Sequence, residues 1–556
     1  MLVALFVRPT QSADVSPTPV PRASAPAPAT PYQSDMASLI NSGSLPELEH
    51  PVFADYQQQL NQFYQEGGYA LGWLRDRRPT PQALAIIAEF KQAQLKGLTP
   101  DDYDAPRWDA RLAKLASAAS PPSDSDQEHF DLALTICAMR FISDLHVGRV
   151  NPQHFKFGLE IGNKQYNLAE VLRTRMLDAP DEDAAISKVE PPYDGYRRAE
   201  AVLPEYLKLA AQGDVAPAAV PRRSIHPGQP YAGVPHLVAR LRQLGDLPAS
   251  QDVSADTGIY SGTVVDAVKH FQDRHGLAPD GVLGAGTVSE LNKPIAYRLQ
   301  QLDFALERYR WIPRHFPEPP IVVNIPEFRL RTMRRQPAEF ISMKVVVGRA
   351  YRSQTPVFAD EMRYLIFRPY WNVPTAIQRN ELIPKIQRNP NYVAVHQYEI
   401  IGGDGSVVTD GAVDPDVMRG LRSGAYTIRQ KPGPKNALGL VKFIFPNDYN
   451  VYLHSTPQPE LFSRARRDFS HGCIRVENAA ALAAWVLRNK PDWNSDRIRA
   501  TMDGDSDNVQ VNLDQPIPVL ILYSTAVVEP DNEVHFFDDI YGYDASLQKA
   551  LQAGAG

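Results

Sequence analysis

Apolar positions recur every three or four residues from about 35 to 215, and that spacing predicts helices. "DMASLINSGSLPEL" and "ALAIIAEFKQAQLKGL" both carry it, and the second runs into Lys96-Gly97, a basic last turn followed by a glycine that stops a helix. "EHFDLALTICAMRFISDLHVGRVNP" sets Phe130, Leu134, Cys137, Met139 and Phe141 on or near one broad apolar face, so Cys137 reads as a small core residue. A shorter block, "HLVARLRQLGDLP" then "TVVDAVKHFQDRHGLAPDGVLGAGTVSELN", places Val264, Val268 and Phe271 at helical spacing. Asp280-Gly281 then turns the chain toward a third short helix. Beyond about 315 the period shortens. "PIVVNIPEFRLRTM", "FISMKVVVGR", "MRYLIFRPYWNVP", "LVKFIFPN", "NVYLHST", "PIPVLILYSTAVV" and "EVHFFDDIYG" are strand-like runs broken by Pro, Gly and Asn.

With 556 residues the chain is too long for one core, and three or four domains are expected. Residues 1–34 combine an apolar start with a Pro/Ala/Ser-rich tether, residues 35–215 form a helical scaffold domain, and 216–233 are a second Pro/Ala-rich linker. Residues 233–295 form the three-helix unit and 315–545 the β-rich domain, with helical patterning over 375–422 that reads as an inserted lid. The fold class is multidomain α+β.

Charge narrows the partners. The 58 basic against 64 acidic side chains leave a formal charge of -6 with no long single-sign block, which gives no basis for nucleic acid or an anionic membrane surface. "LVALFV" at residues 2–7 is too short to span a bilayer; with the small residues Ser12-Ala13 after it, and no basic segment before it, it reads as the remnant of an export signal.

Two cysteines cannot form a disulfide framework in a chain this size, so Cys473 in "SHGCIRV" needs its own account. Strand alternation sends Val451, Leu453, Ile474 and Val476 one way and leaves Tyr452, His454, His471, Cys473 and Arg475 to converge on one patch. Gly472 permits close approach beside the sulfur. Three readings compete: a thiolate nucleophile activated by an upstream imidazole, a metal site built from His454, His471 and Cys473, and a buried structural cysteine. The metal reading lacks a second short ligand pair. The structural reading fits poorly with polar neighbours on the same face. Papain-like order, with the histidine after the cysteine, would require His535, which sits in a strand of its own.

"HST" at 454–456 followed by "SHGCIRV" at 470–476 resembles the signature of the L,D-transpeptidases. "VGRAYRSQTPVF", "PYWNVP", "PGPKNALGLVKFIFPN" and "DIYGYD" look like the long multidomain Gram-negative branch. In the three-helix unit Phe271-Gln272, His275-Gly276-Leu277, Asp280-Gly281, Gly284 and Thr287 resemble a peptidoglycan-binding domain. The resemblance implies a periplasmic cysteine acyltransferase of cell-wall biogenesis and cell shape, acting on peptidoglycan stem peptides without a metal or other cofactor, alongside other cell-wall synthesis enzymes. Cys473 would attack the third residue of a tetrapeptide, expel the terminal D-alanine and pass the acyl group to a neighbouring amine, giving a 3→3 cross-link. Carbapenems would leave a stable thioester on the same sulfur. In this pattern His454 is the base, oriented by the Ser455 backbone carbonyl. Gly472, Cys473 and Tyr452 supply the oxyanion donors, and Ser470, His471 and Arg475 shape the site or bind substrate. Two alternatives stay open at this level: a carboxypeptidase trimming tetrapeptides, and a non-catalytic wall-binding scaffold.

Overall fold

The computed structural model describes residues 33–117, 121–164, 166–251, 258–333, 340–351 and 353–554. The export-signal reading and the first tether lie outside them. Within them, no helix is long and apolar enough to cross a membrane.

The N-terminal half is helical where the periodicity predicts it. Helix Pro81–Lys91 starts on a Thr80 side-chain cap, and the short helical turn after it ends at Gly97, whose φ of +65° is the left-handed stop that Lys96-Gly97 announces. Helix Asp124–Val147 opens on a Ser123–Asp126 capping box and runs through the middle of the core, with Leu134, Cys137, Met139 and Phe141 fully buried. Three helices, Val234–Gln243, Thr263–Arg274 and Ala285–Leu291, form the second unit around Leu237, Val268, Phe271 and Leu291.

Helix Ile295–Trp311 falls between the expected domains and joins them all. Its guanidiniums are buried, with Arg298 1% and Arg310 0% exposed. Arg298 pairs with Glu290 of the three-helix unit, Arg310 donates to the Lys96 carbonyl, and Arg308 pairs with Asp544 of helix Tyr543–Gly554. Glu307 accepts from the Val150 N–H. Gln301 donates to the carbonyls of Thr525 and Phe537, fixing the ribbon Ala526–Val528 and Val534–Phe536 against the helix. That ribbon is separate from the main sheet.

The β-rich domain is a sheet that closes on itself. Strand Phe340–Gly348 pairs with Arg329–Met333 along one edge and with Ile474–Val476 along the other. Between them the order runs through Leu453–His454, Val441–Ile444, Phe358–Phe367, Val509–Leu522 and Ile321–Asn324. Closure leaves these strands no open edge and encloses a core of Leu365, Phe443, Leu453, Ile474 and Ile521.

Between strands Phe358–Phe367 and Val441–Ile444 the chain builds a subdomain with its own core of Leu382, Ile386, Val393, Ile400 and Ile428. Helical patterning over 375–422 captures its helices. It leaves out the strands Tyr398–Ile401 and Val407–Thr409, which form a four-stranded sheet with Thr427–Gln430 and Trp371–Asn372 outside that range. Strands of two to four residues are too short to show a period.

Candidate active site

The site grows from two short parallel strands. Leu453 pairs with Ile474 and His454 with Arg475. The register seats Leu453 and Ile474 in the core and leaves His454 and Arg475 together on the opposite face, with Tyr452 and Cys473 one pleat back. Ile474 N–H donates to the Tyr452 carbonyl at 3.1 Å, which locks the two strands beside the sulfur.

Cys473 is half-buried. Its Sγ lies 3.8 Å from the Asn450 carbonyl. Burial pushes the thiol up, and the Tyr452 amide, the Tyr452 hydroxyl, Lys442 and Arg475 pull it back. Burial holds the Tyr452 phenol protonated, so it is a donor.

His454 is 4% exposed, and its Nδ1 donates to the Ser455 carbonyl at 2.5 Å. That contact leaves Nε2 as the basic nitrogen. Burial, then Arg475 and Lys442, push the imidazole down to about 3, against the pull of the Ser455 and Leu438 carbonyls. The ring is neutral. Ser455 is held in turn, its N–H donating to the Val441 carbonyl at 2.9 Å. A Cβ on Gly439 would come within 2.5 Å of the Ser455 hydroxyl, so only glycine allows this approach.

The turn before Cys473 is fixed by polar bonds. Ser470 Oγ donates to the Cys473 carbonyl at 2.5 Å and accepts from the Gly472 N–H at 3.1 Å. Gly472 has φ of +115°, a conformation that side chains resist. Behind the turn, Thr355 Oγ1 donates to the Gly472 carbonyl at 2.8 Å and accepts from the Gly348 N–H at 2.8 Å. Tyr541, of "DIYGYD", donates to the Gly348 carbonyl at 2.6 Å.

One expectation changes. The Gly472 N–H was to face an oxyanion, but in the structure it is spent on the Ser470 hydroxyl. The Cys473 N–H makes no backbone bond among the described residues, so it remains as a donor with the Tyr452 hydroxyl. His471 reaches Glu381 of the inserted subdomain, Nε2 to Oε1, at 2.6 Å. Arg475 Nη1 donates to Gln458 Oε1 at 2.8 Å, and no carboxylate pairs with it among the described residues. No cluster of three metal-type side chains occurs among those residues either.

Two groups were not singled out from the sequence. Thr355 lies within the quoted "QTPVF" and Lys442 within "LVKFIF". The signal for Lys442 was its isolation, a single charge in an apolar strand.

Known families match this layout. Residues 319–511 match the L,D-transpeptidase catalytic domain, residues 58–203 a scaffold domain, and residues 231–291 the family described as "Putative peptidoglycan binding domain". A Haemophilus influenzae protein with the curated name "Putative L,D-transpeptidase" is 33% identical over 251 residues, 45% of this chain and 49% of that protein. The match thus spans about half the length of that relative. The β-rich domain belongs to the L,D-transpeptidase catalytic family, and the chain joins it to a scaffold domain and a peptidoglycan-binding module.

Proposed function

We propose that this chain is a periplasmic L,D-transpeptidase that forms 3→3 cross-links between peptidoglycan tetrapeptide stems through a thioester on Cys473. The observation that carries this reading is the two-strand patch itself. A half-buried thiol, a neutral imidazole anchored through Nδ1 and a phenol hydroxyl share one face around a turn with no slack.

Cys473 Sγ attacks the carbonyl carbon of the third stem residue, and His454 Nε2 takes the thiol proton. The Cys473 N–H and the Tyr452 hydroxyl hold the oxyanion; each donor of this kind is worth roughly 10²–10³ in rate. The C–N bond to D-alanine then breaks, and His454 returns its proton to the leaving amine. A side-chain amine from a second stem attacks the thioester, loses its proton to His454 and restores the thiol. Arg475, which pairs with no carboxylate among the described residues, is placed to receive a substrate carboxylate. The inserted subdomain, tied down through Glu381 and His471, covers the site and disfavours water as acceptor. The peptidoglycan-binding module brings the domain to its polymer and to other wall-building enzymes.

Incubating the purified protein with disaccharide-tetrapeptide and reading the products by mass tests this. A cross-linked dimer supports transfer, tripeptide alone supports trimming, and no product overturns both. A carbapenem should add once per chain, and peptide mapping should place the adduct on Cys473; no adduct on folded protein would sink the nucleophile assignment.

A further inference from the structure

Lys442 lies between Val441 and Phe443, both fully buried, on a strand whose alternation turns it to the opposite face. It pairs directly with His454, which pairs with Arg475, so the three side chains form one row across three strands. Its Nζ sits 4.0 Å from the centroid of the Tyr452 ring, the residue whose amide and hydroxyl reach Cys473 Sγ. Burial disfavours the ammonium, and a Cys473 thiolate favours it. A half-buried ammonium without a carboxylate is costly unless an anion forms beside it.

That anion is not balanced by the imidazole. His454 is kept neutral by burial, Arg475 and Lys442 together. The cations facing the thiol are Lys442, on the strand beyond Leu453–His454, and Arg475, two residues along the chain from the sulfur. Arg475 is bound to Gln458 and answers to Arg349 and Glu460 as well. Glu381 is engaged by His471.

We propose that Lys442 is the resident counter-charge of the Cys473 thiolate, seated on the Tyr452 ring so that the thiol ionises beside an ammonium while His454 stays free to act as base. In turnover that proton passes to His454 Nε2; in the free enzyme it is lost only as pH rises through the thiol's raised midpoint. The proposal rests on Cys473 being the nucleophile, but its test does not need turnover.

Iodoacetamide alkylation of Cys473, followed by peptide mapping across pH, reads the thiolate directly. Relative to wild type, Lys442→Met should move the midpoint upward by about one pH unit and slow labelling about tenfold below it. Lys442→Arg should follow wild type, because the charge and the ring contact both remain. Anionic iodoacetate should lose its advantage over neutral iodoacetamide in the Met variant. Lys442→Gln gives the same reading if the Met variant melts early. A folded Met or Gln variant whose profile superimposes on wild type overturns the proposal. A wild-type enzyme that alkylates normally yet forms no acyl adduct with tetrapeptide or carbapenem would instead overturn the acyltransferase reading, leaving the Lys442 result intact.

Discussion

His471 Nε2 and Glu381 Oε1, 2.6 Å apart, join the turn that carries Cys473 to the subdomain inserted between two strands of the closed sheet. Both side chains are about one-third exposed, 34% and 38%, so the pair is worth only about 0.2–1 kcal/mol to the fold. Its weight falls on where the subdomain sits. Glu381→Gln should therefore leave the melting temperature nearly unchanged and shift products from cross-linked dimer toward tripeptide, as water gains access to the thioester. Product ratios by mass spectrometry check this; an unchanged ratio removes the tie from the acceptor choice.

The two cysteines should behave as opposites. Cys137 is fully buried in helix Asp124–Val147, and burial pushes its thiol up to about 12, so it should resist alkylation in the native state. Cys137→Ala should cost about 1–2 kcal/mol of stability and no chemistry. Cys473→Ala should abolish turnover at unchanged stability. Thermal melts and product assays on both variants decide it.

His454 gives a pH dependence with a definite sign. Its folded value of about 3 lies below the ordinary 6.5, so between those values the unfolded state binds more protons than the folded one. Stability from this site is thus lost as pH falls from about 6.5 toward 3 and is level above 6.5. His146, pushed down to about 4 by burial, adds in the same direction. His454→Gln should flatten the acid side of a stability-versus-pH curve without abolishing the slope. His454→Ala should also slow single-turnover acylation by about 10²–10⁴, more than His471→Ala does. A slower His471→Ala enzyme with normal folding would exchange the two roles.

Thr355 fastens the turn from behind. Thr355→Val keeps the shape but leaves the buried Gly472 carbonyl and Gly348 N–H without their partner, at about 1–3 kcal/mol. Acylation should slow as the turn loosens, and Thr355→Ser should restore both. Chemical denaturation paired with acylation rates separates this from a purely structural loss.

Much of the site is written locally. Tyr452, His454, Cys473 and Arg475 share a face because strand alternation is a rule of the backbone, and the motif residues around them mark where to apply it. The burial of Leu453 and Ile474 follows from the same rule, as does that of Cys137 from helical spacing. Helix Ile295–Trp311 shows the limit. Its buried face carries Arg298, Glu307 and Arg310, polar residues that periodicity assigns to solvent, and partners from three other segments, at Glu290, Val150 and Lys96, make their burial tolerable.

The sequence by itself determined the succession of helical and β-rich units, the inert place of Cys137 and the strand face that Tyr452, His454 and Arg475 share, because each depends on neighbours a few residues away. Only the tertiary structure decided which donors are spent and which remain. Ser470 takes the Gly472 N–H, Thr355 reaches its carbonyl from 117 residues away, Glu381 takes His471 from 90 away, and Lys442 joins His454 by strand pairing. Hydrogen bonds and charge pairs form by proximity in space, and chain closure over such distances leaves no periodic trace in the sequence.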